Sequence, residues 1–149
     1  MGEGMKCCLL GTTMVAMLDG SSRRIEDIQI GDMILGEHDC ACVVKNVFCG
    51  YEEQLMKITL ENNKKITCTA NHIFVSKAGI RRAEQLREGN LLETLDESGK
   101  VVHIERVDGG QVINLELKEA HFYYAEEILT GDFCIQNEHE RDDVCQKQE

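Results

Sequence analysis

Residues 55–75 read Leu55-Met56-Lys57-Ile58-Thr59-Leu60, then Glu61-Asn62-Asn63-Lys64, then Lys65-Ile66-Thr67-Cys68-Thr69, then Ala70-Asn71-His72 and Ile73-Phe74-Val75. Two runs rich in Ile, Leu and Thr flank a polar four-residue break, which predicts a β-hairpin. A third short run, Ile73-Phe74-Val75, ends at a turn over Lys77-Ala78-Gly79. The same grammar extends in both directions. Upstream, Thr13–Leu18 stops at Asp19-Gly20, Met33–Leu35 lies between Gly31 and Gly36, and Cys42–Phe48 is a longer run. Downstream come Leu91–Leu95, Val101–Val107, Val112–Leu117, Phe122–Ala125 and Ile128–Thr130. Many short strands at regular spacing predict an all-β domain. The chain has no proline, so Gly, Asn and Asp must make its turns. Arg82–Leu86 has good helix formers and stops at Gly89, which predicts a short helix. Ile25–Ile30 reads as a short helix or as irregular chain.

Length and composition narrow the function. At 149 residues with 42% hydrophobic residues, the chain supports one domain with a real core. A net charge of -11 argues against a nucleic-acid partner, because phosphate binding needs clustered Lys and Arg. No apolar stretch approaches membrane-spanning length, and Met1–Lys6 lacks the apolar core of a signal peptide. The expectation is a cytoplasmic domain with no membrane partner. The eight cysteines are Cys7, Cys8, Cys40, Cys42, Cys49, Cys68, Cys134 and Cys145. In a reducing compartment they are expected as thiols rather than a disulfide framework. Cys40-x-Cys42 is the nearest approach to a metal knuckle, but no second pair follows it at ligand spacing, so no metal and no cofactor are expected.

Three stretches carry chemistry. Near the start stands Cys8-Leu9-Leu10-Gly11-Thr12-Thr13-Met14-Val15, followed by Asp19-Gly20. In the middle is Thr69-Ala70-Asn71-His72. Near the end is Val112-Ile113-Asn114-Leu115-Glu116-Leu117, then His121-Phe122-Tyr123. A cysteine attacks as its thiolate, and an ordinary thiol has a pKa of about 8.5. Attack on the preceding carbonyl needs a proton for the departing nitrogen, which suits histidine. It also needs a donor for charge growing on the carbonyl oxygen, which a threonine hydroxyl can supply. Taken singly, His72 would be a hydrogen-bonded structural histidine, Thr69 a strand residue and Cys8 a small buried apolar residue.

Together, in this order, the three stretches resemble the Hint superfamily, the shared fold of inteins, bacterial intein-like domains and hedgehog autoprocessing domains. The resemblance implies an all-β, pseudo-two-fold, horseshoe-like Hint fold over residues 8–132, with flanks at 1–7 and 133–149. Only Gly31-Asp32-Met33-Ile34-Leu35 against Gly89-Asn90-Leu91-Leu92-Glu93 hints at the two halves. The resemblance also implies an N-to-S acyl shift at Cys8, with Cys7 the second choice, assisted by Thr69 and His72. His121 falls on the histidine of the late family block, and Asn114 on a position often held by aspartate. The terminal His-Asn pair of inteins is replaced by Gly131-Asp132, followed by Phe133 instead of a nucleophile. This degenerate C-terminal junction implies little splicing or C-terminal cleavage, with Asp132 at the position of the cyclising residue. The expectation is a monomeric, self-acting, single-turnover domain whose substrate is the polypeptide fused upstream, and whose acyl acceptor is water, a small thiol or an amine. Two other readings stand beside it: an inactive Hint module with a structural or interaction role, and a metal- or redox-binding β domain that uses the cysteines. His38, His103 and His139 are expected at the surface.

Overall fold

The computed structural model describes residues 8–96 and 99–132. The flanks at 1–7 and 133–149, with Cys7, Phe133, Cys134, His139 and Cys145, lie outside the described residues. Among the described residues eleven strands form two antiparallel sheets. They are β1 Leu9–Leu10, β2 Met14–Ala16, β3 Ser22–Arg24, β4 Met33–Leu35, β5 Ala41–Leu60, β6 Lys65–Cys68, β7 Ile73–Ser76, β8 Gly79–Arg82, β9 Val101–Lys118, β10 Phe122–Ala125 and β11 Ile128–Gly131. The first sheet has the order β4-β5-β6-β1-β9, and β5 also pairs with β9. The second has the order β3-β2-β10-β11-β7-β8. The expected hairpin between residues 55 and 69 is present, with Ile58 opposite Ile66 and Met56 opposite Cys68.

Three expectations need correction. The runs 42–48 and 55–60 are one strand, β5, and 101–107 and 112–117 are one strand, β9. The polar and glycine-rich stretches between them remain paired, with Glu52 opposite Gly110 and Gln54 opposite Asp108. Asp108-Gly109-Gly110 is therefore no turn but a place where two backbones close up. A Cβ on Gly109 would lie 1.6 Å from the Glu52 carbonyl oxygen. Gly109→Ala is accordingly expected to cost about 3 kcal/mol, the upper end of ordinary overpacking. Gly110→Ala would meet only the Leu10 side-chain tip at 3.2 Å and should cost far less. Urea unfolding of both variants measures the contrast. Second, Leu91–Leu95 forms isolated bridges, Leu91 with Lys100, Leu92 with Ser76 and Thr94 with Ile128, and no continuous strand. Third, the two candidate helices are each a single 3-10 turn, Ile25–Asp27 and Ala83–Gln85. Each stops after three residues because the next one, Ile28 or Leu86, is already extended.

Those two turns expose the internal symmetry that the sequence barely shows. Ile25 and Ala83 are both wholly buried and open equivalent turns, closed by Ile28 N–H to Ile25 and Leu86 N–H to Ala83. The side chain of Asp32 accepts the Gln29 N–H, and that of Asn90 accepts the Arg87 N–H, both at 2.8 Å. Gly31 and Gly89 adopt φ of +95° and +96°, a conformation glycine takes without strain. Gly31 donates to Val44 and Gly89 to Val101, while Val44 and Val101 return bonds to Asp32 and Asn90. The hairpin β2–β3 thus corresponds to β7–β8, and the start of β5 to the start of β9. One buried cluster joins the sheets, with Leu9, Ile58, Ile66 and Ile113 from the first and Val15, Phe74, Tyr123 and Ala125 from the second. Burial of such side chains contributes about 1.5–3 kcal/mol each.

Both ends of the described chain lie inside the sheets. β1 has only two residues, yet Leu9 pairs with both Cys68 and Ile113. At the other end β11 runs between β10 and β7. That placement brings the terminal residues to the chemistry.

Candidate functional site

Cys8 is fully buried beside Leu55 and Val112. It precedes β1, and β6 ends alongside at Cys68, so residue 69 meets residue 8 directly. The Thr69 N–H donates to the Cys8 carbonyl at 2.9 Å. In return, the Cys8 N–H donates to the Thr69 hydroxyl, also at 2.9 Å. The Thr69 hydroxyl passes its own hydrogen to the Asn71 side-chain oxygen at 3.1 Å. The threonine therefore touches the nitrogen of the bond that joins Cys8 to the preceding residue. The carbonyl oxygen of that bond belongs to Cys7, outside the described residues.

His72 closes the turn that starts at Thr69, through its N–H to the Thr69 carbonyl at 3.2 Å. Its own carbonyl accepts the Ala83 N–H, and the Ala70 carbonyl accepts that of Glu84. These bonds tie the Thr69–His72 turn to the 3-10 turn at Ala83–Gln85. The imidazole is wholly buried, with its edge on the Phe74 ring at 5.3 Å between centroids. Its Nε2 lies 2.5 Å from the Thr130 hydroxyl on β11.

A second group forms at the far end. Asp132 is fully buried, and its carboxylate accepts the Leu117 N–H at 2.8 Å. The Asp132 N–H donates to the His121 carbonyl at 2.8 Å. The His121 Nδ1 lies 3.6 Å from the other carboxylate oxygen, in reach of charge attraction but beyond a hydrogen bond. Asn114, buried on β9, accepts from the Tyr123 hydroxyl at 3.0 Å. The five residues singled out in the sequence thus fall into two groups: Cys8, Thr69 and His72, and His121 with Asp132. Strand β11 links them, because Thr130 touches His72 and Asp132 follows two residues later. The sequence assigns no role to Thr130, to Asn71 inside the Thr69–His72 motif, or to Tyr123 beside His121. A lone polar residue in the apolar run Ile128-Leu129-Thr130 was the one available signal for the first.

A shallow cleft of about 200 Å³ opens beside the first group, lined by Gln54, Leu55, Met56, Ala70, Glu84 and Arg106. Leu55 lines the cleft and packs on Cys8, so the cleft borders the buried cysteine. The remaining described thiols divide by exposure. Cys40 and Cys49 are exposed, whereas Cys42 and Cys68 are buried. Burial pushes the Cys68 thiol up strongly. Cys42 is raised by burial first, then by the charges of Cys40 and Asp132. A thiol reagent near neutral pH is therefore expected to label Cys40 and Cys49 and spare Cys42 and Cys68 until unfolding, which peptide mapping by mass reads directly. Raised folded-state values also set a sign. The stability these two thiols contribute is complete below the unfolded thiol pKa of about 8.5, and it is lost as pH rises through their folded values. Among the described residues no three His, Cys, Asp or Glu side chains converge as metal ligands.

Two pseudo-symmetric β halves, with the chain's own Cys8 amide held against a Thr-x-x-His turn, define a Hint autoprocessing domain. No protein-family model and no curated protein matches the chain. Solved structures do match it. The gp41-1 intein is 32% identical, with a TM-score of 0.75 over 84% of this chain and 98% of that one. The MchDnaB-1 intein aligns at 21% identity and a TM-score of 0.74, covering 83% of this chain and 99% of that one. The DnaB intein from Synechocystis sp. PCC 6803 aligns at 18% identity and a TM-score of 0.77, covering 84% and 97%; these last two are likenesses of fold alone. The chain belongs to the intein family.

Proposed function

We propose that the domain activates the Cys7–Cys8 peptide bond by an N-to-S acyl shift and releases the upstream polypeptide through a thioester, while splicing and C-terminal cleavage are impaired. The observation that carries this reading is the Cys8 N–H held at 2.9 Å by the Thr69 hydroxyl, with His72 closing the same turn. The Cys8 sulfur bonds to the Cys7 carbonyl carbon, and the carbon–nitrogen bond breaks. The proton lost by the thiol ends on the departing nitrogen, so Cys8 gains a free amine. Thr69 fixes the orientation of that nitrogen, and His72 carries the proton. The thioester then passes its acyl group to water, a small thiol or an amine. The upstream polypeptide is thus an intramolecular substrate, and the domain acts once.

The second half of the proposal rests on Gly131 and Asp132. An intein frees its C-terminal end when the asparagine amide nitrogen attacks its own carbonyl. A carboxylate oxygen is a poorer nucleophile, and Asp132 already accepts the Leu117 N–H. Gly131 removes the imidazole that would assist. The same residues favour one competing reading, a Hint module that folds but does not react. Intact mass of a small folded partner fused ahead of residue 1 decides between them. Release on adding a small thiol supports acyl-shift chemistry, whereas an unchanged mass with a folded circular dichroism spectrum supports the inert module.

A further inference from the structure

We infer that Thr130 is a positioning residue that locks His72 in the tautomer protonated at Nε2, leaving Nδ1 as the nitrogen that takes and gives the catalytic proton. The inference rests on the acyl-shift reading for its purpose, but not for its geometry. A hydroxyl has one hydrogen. The Thr130 hydroxyl lies 2.8 Å from the Ile73 carbonyl oxygen, which can only accept, and its two contacts are both hydrogen bonds at once only when its hydrogen goes to Ile73. In that arrangement the Thr130 oxygen accepts from His72 Nε2, which carries a hydrogen in the neutral ring as well as in the charged one. Protonation and deprotonation of His72 are thereby confined to Nδ1. Thr130 and His72 are both fully buried, so water does not compete for either bond.

The backbone makes this lock rigid. Thr130 pairs with Phe74 across β11–β7 and with Tyr123 across β10–β11. Ile73, whose carbonyl takes the hydroxyl hydrogen, immediately follows His72. The strand that ends at Gly131, just before Asp132, therefore sets the proton chemistry of the residue that serves Cys8, and the two ends of the domain are joined through one hydroxyl.

The test uses the full chain in a Cys8→Ala background, where no cleavage occurs, and reads the His72 ring nitrogens by long-range ¹H–¹⁵N NMR at a pH where the ring is neutral. The expected spectrum shows a protonated Nε2 and an unprotonated Nδ1. Thr130→Val, nearly isosteric, should yield a mixture of tautomers, and Thr130→Ser should retain the single form. A ring protonated at Nδ1 in the parent, or a Thr130→Val spectrum identical to it, overturns the inference. With Cys8 restored and a partner fused upstream, Thr130→Val should slow thiol-dependent release about tenfold or more, as expected for a buried hydrogen bond lost from one side. Thr130→Ser should restore most of the rate, and equal slowing by Ser and Val overturns the inference. If the parent releases nothing, the acyl-shift reading fails, while the tautomer spectrum still decides this inference.

Discussion

Cys8→Ala is expected to abolish thiol-dependent release of an upstream partner, and His72→Ala to slow it by about 10²- to 10⁴-fold, the usual contribution of a positioned general acid or base. The two effects differ in kind. Alanine at position 8 removes the sulfur that must bond to the carbonyl carbon, so no thioester can form. Alanine at position 72 leaves the sulfur and the Thr69 contact but takes away the proton carrier. It also leaves the buried Thr130 hydroxyl without its donor, so a stability measurement must accompany the rate. Thr69→Val keeps the shape of the residue and frees the Cys8 N–H from its 2.9 Å bond. Its expected loss is smaller than that of His72→Ala, because it affects orientation rather than proton transfer. Release rates followed by intact mass, with unfolding midpoints alongside, rank the three variants.

The second large effect is a gain. Gly131→His combined with Asp132→Asn should turn on cleavage after residue 132, raising its rate by about 10²-fold or more through a competent nucleophile and a nearby imidazole. The asparagine side-chain oxygen can still accept the Leu117 N–H that Asp132 takes at 2.8 Å, while its nitrogen supplies the nucleophile. The change also removes a buried carboxylate, which costs stability wherever its charge is not fully matched. His121, 3.6 Å from the carboxylate, is already in place beside the position. Loss of residues 133–149 from the intact mass is the readout. Asp132→Asn alone should give a slower version of the same product. If the double variant folds and stays whole, Gly131 and Asp132 are not what the proposed impairment of the junction rests on.

Much of this arrangement was legible in the sequence, because short strands and glycine or asparagine turns leave local marks. The hairpin at residues 55–69 and the Thr69–His72 turn are of this kind. What stayed hidden was long-range. Nothing in Cys42–Phe48 and Leu55–Leu60 says that they are one strand, since the polar residues between them stay paired only because β9 runs opposite along the whole length. The symmetry lay in hydrogen bonds rather than identities: Asp32 and Asn90 do the same work with different side chains, as do Ile25 and Ala83. The same holds at the site. Thr69 and His72 are neighbours in sequence and could be read together, whereas Thr130 reaches His72 only through the pairing of β11 with β7. Periodicity cannot register a contact of that kind.

An N-to-S acyl shift must pass through a thioester at Cys8, and trapping that thioester tests the proposed chemistry. A small folded partner is fused upstream, the protein is incubated with an excess of a small thiol, and the released partner is weighed. The expected product is a partner heavier than its free acid by the thiol minus one water, produced by the parent and absent from Cys8→Ala. A partner that stays attached to a folded domain, or one released as the plain acid by both proteins, would contradict it.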